Sequence, residues 1–278
     1  MASLKEVKTR ITSVGTTRKI TQARQMISSA QLHRAQGVLA GALAYRKGLD
    51  EVFAQVAGTI DPLSPLYAPG KGSGVAVVVF SADGGMCGAY NAHIIKEMHA
   101  IAEKYGNDAQ LFAIGKKARE AAASARYKLG KGYRTPIGKV KLEEVTTLAA
   151  ELAGGFFSGR FGRVEILFSE FVTIATQRVR HQVLLPLAPP KAQEVKDYIT
   201  EPTAGELVDG LVPMLITARI NAALANSITS EHAARMTAMQ LATENADELL
   251  GELQLMYNKL RQQNITAQLL DIIGSSFA

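Results

Sequence analysis

Cysteine is almost missing from this 278-residue chain. Cys87 stands alone, so no disulfide can close within it, and no set of Cys and His residues has the spacing of a zinc site. Tryptophan is absent and aromatic residues amount to 6%, which leaves few flat surfaces on which nucleic-acid bases could stack. No uncharged apolar run approaches the ~18 residues of a membrane span, and the start M-A-S-L-K-E-V-K-T-R carries charge where a signal peptide needs its apolar segment. The expectation is a soluble chain in a reducing compartment, able to dock on a membrane complex. Proline does not occur before Pro62, so nothing interrupts a helix over that stretch. What is plentiful is apolar: 47% hydrophobic residues against 20% charged, enough for a buried core and incompatible with disorder as the dominant state.

Charge is unevenly spread. The net charge is +6, yet residues 1–47 hold nine Lys and Arg against Glu6 alone, while residues 206–278 hold four basic and eight acidic residues. A basic segment of this kind can meet nucleic acid, an anionic membrane or acidic protein loops, because all three reward the same Coulomb attraction.

Both ends of the chain read as long helices. A 3-4 spacing carried from Leu4 to Val56 is apolar at 11 of 16 positions, the pattern of a coiled-coil seam. Four consecutive positions break it, Arg18, Thr21, Gln25 and Ser28, and there the apolar stripe passes to Ile20, Ala23, Met26 and Ile27, which predicts a change of partner surface. From Ala225 to Leu270 the same spacing is apolar at 11 of 14 positions, failing at His232, Arg235 and Gln263. The helical pattern extends upstream to about Glu206, with a kink or helix start expected at Pro213.

Between the helices the pattern changes at a loop rich in Pro and Gly, residues 61–74. Strands are predicted at 75–80, 111–114, 164–168 and 179–185, the last two as a hairpin, and helices from about Asn91 as an N-cap, at 116–126 and at 142–157. The predicted fold is therefore α/β: a long antiparallel coiled coil of N- and C-terminal helices (1–60 and 206–278) with an inserted small Rossmann-like α/β domain (75–190). Taken as 2–58 and 206–273, the two helices would span ~85 and ~100 Å at 1.5 Å per residue, so the second should overhang the first by ~15 Å. The overhang carries Leu269, Leu270, Ile272, Ile273 and Phe277, an apolar tip of the kind that marks a binding surface.

Chemistry is hard to find in this sequence. The turn after the first predicted strand, S-A-D-G-G-M-C-G at 81–88, lacks the G-x-G-x-x-G order, and none of the four Gly-Lys pairs is followed by Ser or Thr as a Walker A loop requires. Its glycines suit a tight turn. Cys87 has no neighbouring base except His93, a turn into the predicted helix, so a structural thiol is expected. Glu231 and His232 are adjacent and point to different helix faces. The carboxylates of the α/β segment read as solvated. No catalytic residue, metal site or cofactor site is expected.

Several segments carry a specific likeness. The first 21 residues, S-S-A-Q-L-H-R-A-Q at 28–36, S-E-H-A-A-R-M at 230–236 and L-Q-L-M-Y-N-K-L-R-Q-Q-N-I-T at 253–266 resemble signatures of the gamma subunits of the rotary F-type ATP synthase. The turn at 81–91 is similar to that family's S-D-R-G-L-C-G-x-x-N motif, and the likeness spans essentially the whole chain. It implies a rotor shaft inside a ring of three alpha and three beta subunits, with the epsilon subunit and the membrane c-ring as further partners. It also implies a peripheral position on the cytoplasmic face of the inner membrane, with the nucleotide sites on the ring rather than on this chain.

Carried over residue by residue, the resemblance implies beta-subunit contacts at Arg24, Gln25 and Gln31 on the first helix. On the second it implies a polar catch at Arg235, Gln262, Thr266 and Gln268, with the apolar tip turning in a sleeve. The sequence departs from the family pattern at Arg24-Gln25, Gln31, Gln268 and Gly84, and most of these exchanges replace a charge with a neutral group. The residues alone also admit a basic coiled-coil nucleic-acid-binding protein and a Rossmann-like enzyme with helical arms.

Overall fold

The run Gly74–Phe80 is apolar, rich in valine and buried along almost its whole length, the signature of a strand covered on both faces. It becomes β1, one of the two interior strands of a four-stranded sheet, in a computed structural model that describes residues 3–57, 64, 66–131, 135–188 and 204–276. The order of elements is α1 (Leu4–Ala57), β1, α2 (Tyr90–Tyr105), β2 (Ala109–Ile114), α3 (Lys116–Ser124), α4 (Leu142–Phe157), β3 (Phe161–Phe171), β4 (Gln177–Leu185) and α5 (Ala204–Ser276). Strand order is β2-β1-β3-β4, with β1 parallel to both neighbours and β3–β4 an antiparallel hairpin.

The chain divides into two compact units, Ala30–Ala234 and a second made of Met1–Ser29 with Arg235–Ala278. In the first, the sheet has two apolar faces. Val75, Val77, Val79, Leu111, Ala113 and Leu167 pack under Ile94, Met98 and Ile101 of α2 and Ala118 and Ala122 of α3. The opposite face, including Val78, Phe80, Phe112 and Ile166, packs against Leu148, Leu152 and Phe156 of α4, Phe53 of α1 and Leu215, Ile216 and Ile220 of α5. α5 runs through Pro213 without a break in helix. An 18-residue window of α5 is apolar enough to cross a bilayer by composition, with mean hydropathy 1.3, but 61% of it is buried inside the protein, as in a core helix.

The Gly-rich turn is a clamp. Asp83 accepts hydrogen bonds from the Lys116 N–H at 2.9 Å and the Ile137 N–H at 2.7 Å, and the Ser81 hydroxyl accepts from the Ala118 N–H at 2.8 Å. The Lys116 and Ala118 amides lie in the first turn of α3, where the helix itself cannot pair them, and the bond from Ile137 ties a separate segment to the same turn. Gly115, just before α3, has φ +100°, and an added Cβ would overlap the Ser81 carbonyl oxygen. Asn91 does not cap α2, as its position suggested. Ala89 occupies the cap, and Asn91 instead ties the turn, accepting from the Ala82 N–H and donating to the Gly84 carbonyl, each at 3.1 Å.

In the other unit the two helices run antiparallel. Arg18 pairs with Asp247, and the Thr243 hydroxyl donates to that of Thr21 at 2.8 Å, so one sequence climbs as the other descends. Val7, Met239, Ala246 and Leu253 are the buried apolar residues of this pairing.

Candidate subunit-contact surfaces

The seam of the coiled coil does not move where its apolar pattern fails. Thr21 and Ser28 are buried and Arg18 and Gln25 half-buried, so the seam continues through the polar positions. The apolar residues beside them are left outside: Ile20 is 55% exposed, Met26 63% and Ile27 58%. The sequence pattern predicts that the partner surface changes along with the stripe; the stripe does leave the seam, but the surface paired with α5 stays on Thr21 and Ser28, and the reason is geometric. Small hydroxyl side chains let the helices approach and bond across the gap, while bulkier apolar neighbours on the next face point away.

The seam pairs set the register. Extending them at one residue per residue places Leu4 opposite about residue 261, so α5 continues about 15 residues, ~22 Å, beyond the start of α1. The overhang exceeds the ~15 Å expected, because α1 begins at Leu4 and α5 runs to Ser276. Residues 261–270 are exposed on every face. Leu269, Leu270, Ile272 and Ile273 are all more than half exposed, up to 63%. Phe277 lies outside the described residues.

The expected contact residues divide in four. Gln262, Thr266 and Gln268 share the overhanging turns with the apolar tip and are exposed, Thr266 donating to the Gln262 carbonyl at 2.9 Å. Arg24 is exposed and Gln25 half-buried on α1, at a level roughly 33 Å along the axis from Gln262 by the same register. Gln31 is exposed in the other unit. Arg235 differs from the rest in being buried, 8% exposed. The cations Lys5, Lys8, Arg10, Lys19, Arg24 and Arg34 all stand exposed along α1, so its positive charge is presented to solvent.

One polar cluster escaped the sequence reading. Glu165 on β3 is 1% exposed and accepts hydrogen bonds from the Tyr105 hydroxyl at 2.8 Å, Arg163 Nε at 2.5 Å and His181 Nε2 at 2.7 Å. Burial pushes its carboxyl pKa up, but the bonds from His181, Tyr105 and Arg163 outweigh this and hold it at about 2. An ionised acceptor fixes the hydrogen on His181 Nε2. The one signal available was a carboxylate inside an apolar β run, R-V-E-I-L-F, which demands a partner on a neighbouring strand. Among the described residues, no group of three or more His, Cys, Asp or Glu is placed to hold a metal.

A family model described as ATP synthase matches residues 3–278. The sequence is 41% identical over 283 residues to the ATP synthase gamma chain of Parabacteroides distasonis, covering 99% of both chains, and 38% identical over 290 residues to that of Bacteroides fragilis, covering both completely. In fold, it is similar to a chain of the central stalk and c-ring structure of the Tetrahymena thermophila mitochondrial ATP synthase (TM-score 0.60, 19% identity, 80% of this chain and 99% of that one). It is likewise similar to a chain of the Euglena gracilis mitochondrial ATP synthase rotor (TM-score 0.59, 15% identity, 94% and 98%).

Proposed function

The chain belongs to the ATP synthase gamma family, and from that premise we propose that it is the central rotor shaft of an F-type ATP synthase, coupling transmembrane proton flow to ATP synthesis and hydrolysis on beta subunits. In this reading it is a non-catalytic subunit. It binds no cofactor, substrate or nucleic acid of its own and sits peripherally on the cytoplasmic face of the inner membrane. Three alpha and three beta subunits surround the coiled coil, and the epsilon subunit and the c-ring meet the inserted domain at 75–190.

The observation that carries the reading is the bare end of α5. A helix that outruns its partner by about 15 residues and displays Leu269, Leu270, Ile272 and Ile273 to water has been shaped for surroundings supplied by other chains. Apolar contacts are non-directional, so a sleeve around this end would hold the axis without locking an angle. Gln262, Thr266 and Gln268 on the same turns, and Arg24, Gln25 and Gln31 on α1, supply hydrogen bonds worth ~0.5–1.5 kcal/mol each, or ~1.5–3 where a charge takes part, enough to bias angular steps. Arg235 belongs to the same catch on the resemblance, although its side chain is buried within this chain.

The test is reconstitution. Co-expressed with alpha and beta chains, the full-length subunit is expected to enter a stable ring as one copy and to make ATPase activity depend on its presence. Removing residues 265–278 is expected to weaken coupling while leaving the melting of the α/β domain unchanged. Normal coupling in that truncation would overturn the role given to the tip.

A further inference from the structure

The two edges of the sheet are treated differently. The outer edge of β2 is covered: the Leu111 N–H donates to the Lys128 carbonyl and the Gly130 N–H to the Leu111 carbonyl, both at 2.8 Å, so residues 128–130 run beside the strand. β4 is the other edge, nine residues long, and among the described residues no strand pairs with its outer side.

The phase of that edge can be read from the hairpin. The Val172 N–H bonds to the Thr176 carbonyl, and pairing then runs Phe171↔Gln177, Glu170↔Arg178, Ser169↔Val179 and onward. Hydrogen-bonded and non-bonded pairs alternate in an antiparallel ladder, so Arg178, Arg180 and Gln182 turn their backbone groups to β3 while Val179, His181 and Val183 turn theirs outward. Side chains alternate with the same period. Val179 and Val183 lie on one face, with Val183 40% exposed, and exposed Arg178 and Arg180 lie on the other. Arg180 bonds to Glu170 at 2.7 Å, and His181 to the buried Glu165, which pins the strand to its neighbour.

We propose that the outer edge of β4 accepts an extended segment of another chain as a fifth strand, and that this segment alternates acidic and apolar residues. Backbone pairing would come from Val179, His181 and Val183, with apolar side chains seated beside Val179 and Val183 and carboxylates beside Arg178 and Arg180. Charge selects the occupant. A second copy of β4 would set arginines against arginines, the arrangement by which natural edges avoid self-pairing. The inference goes beyond the rotor reading and does not depend on it.

The experiment is amide hydrogen exchange on the full chain with two blocked heptapeptides, one alternating valine with glutamate and one alternating valine with lysine. The glutamate peptide is expected to slow exchange at Val179, His181 and Val183 at least tenfold, and the lysine peptide to leave it unchanged. Val179→Pro removes one outward N–H and no bond to β3, so it should abolish the slowing. Should that variant unfold, Arg178→Glu serves instead and should cut the glutamate peptide's effect about tenfold. No slowing by the glutamate peptide, or equal slowing by both, overturns the proposal. So does slowing that grows with protein concentration in the peptide-free chain, which would make a second copy the occupant. A chain that assembles with alpha and beta subunits yet fails these tests leaves the rotor reading standing and removes this one alone.

Discussion

The sheet and the coil solve the same problem, burying one set of side chains, by opposite means. β1 is enclosed on both faces by apolar residues, and its surroundings tolerate almost no change of shape: Gly115 and Ser81 touch so closely that a methyl group has no room. The coil of Met1–Ser29 with Arg235–Ala278 instead buries Thr21 and Ser28 in its seam and leaves Ile20, Met26 and Ile27 in water. An interior packed on all sides gains from every apolar atom and loses from every misfit. A two-helix seam has only one covered side, so a hydroxyl pair costs it little, and the apolar residues are free to face a different partner.

The sharpest way to break this contrast is at glycine. Gly115→Ala places a Cβ against the Ser81 carbonyl at φ +100°, and should destabilise the α/β unit by about 4 kcal/mol, read as a loss of melting temperature. Glu165→Gln comes next. It leaves Arg163 and His181 without their anionic acceptor at a buried position, and about 3 kcal/mol of unfolding free energy should be lost in denaturant titration.

The same carboxylate gives a pH signature. Its folded pKa of about 2 lies below the ordinary 4.5, so its stabilisation is complete above pH 4.5 and is lost as pH falls toward 2. That loss should be present in the native chain and missing in Glu165→Gln.

The coil should respond with the other sign. Gly15 in α1 has nothing within 4 Å of an added Cβ, so Gly15→Ala should stabilise the helix by about 1 kcal/mol through propensity alone. The smallest effect belongs to the seam. Thr243→Val alone should cost roughly 0.5 kcal/mol, because the Thr21 hydroxyl loses the Thr243 donor but keeps its own bond to the Arg18 carbonyl at 2.9 Å, whereas Thr21→Val with Thr243→Val should be neutral or slightly stabilising. A double variant as damaging as the single one would mean that the seam is as exacting as the sheet.

Much of this was legible in the residues themselves. β1 and α4 stand out because continuous apolar runs and 3.6-residue periodicity report local burial, and α4 falls on Leu142–Phe157 as read. Glu165 was not legible. Its partners Tyr105 and His181 are distant in sequence, and which strand lies beside β3 is a matter of topology rather than periodicity. The polar seam was half legible: the pattern showed the apolar stripe leaving, but the expectation that apolar residues mark the inside could not show the helices staying together on Thr21 and Ser28. Asn91 misled for a local reason, since an Asn at a helix start serves a turn as well as a cap.

The uncovered turns of α5 also bear on the life of the molecule before it joins anything. A peptide of that length is marginal as a helix in water, and here it is sustained by continuity with the paired coil beneath it, which has already met the cost of nucleation. These turns are therefore held only from the side of the paired coil, and their helicity should fade with distance from it, read as faster amide hydrogen exchange toward residue 273.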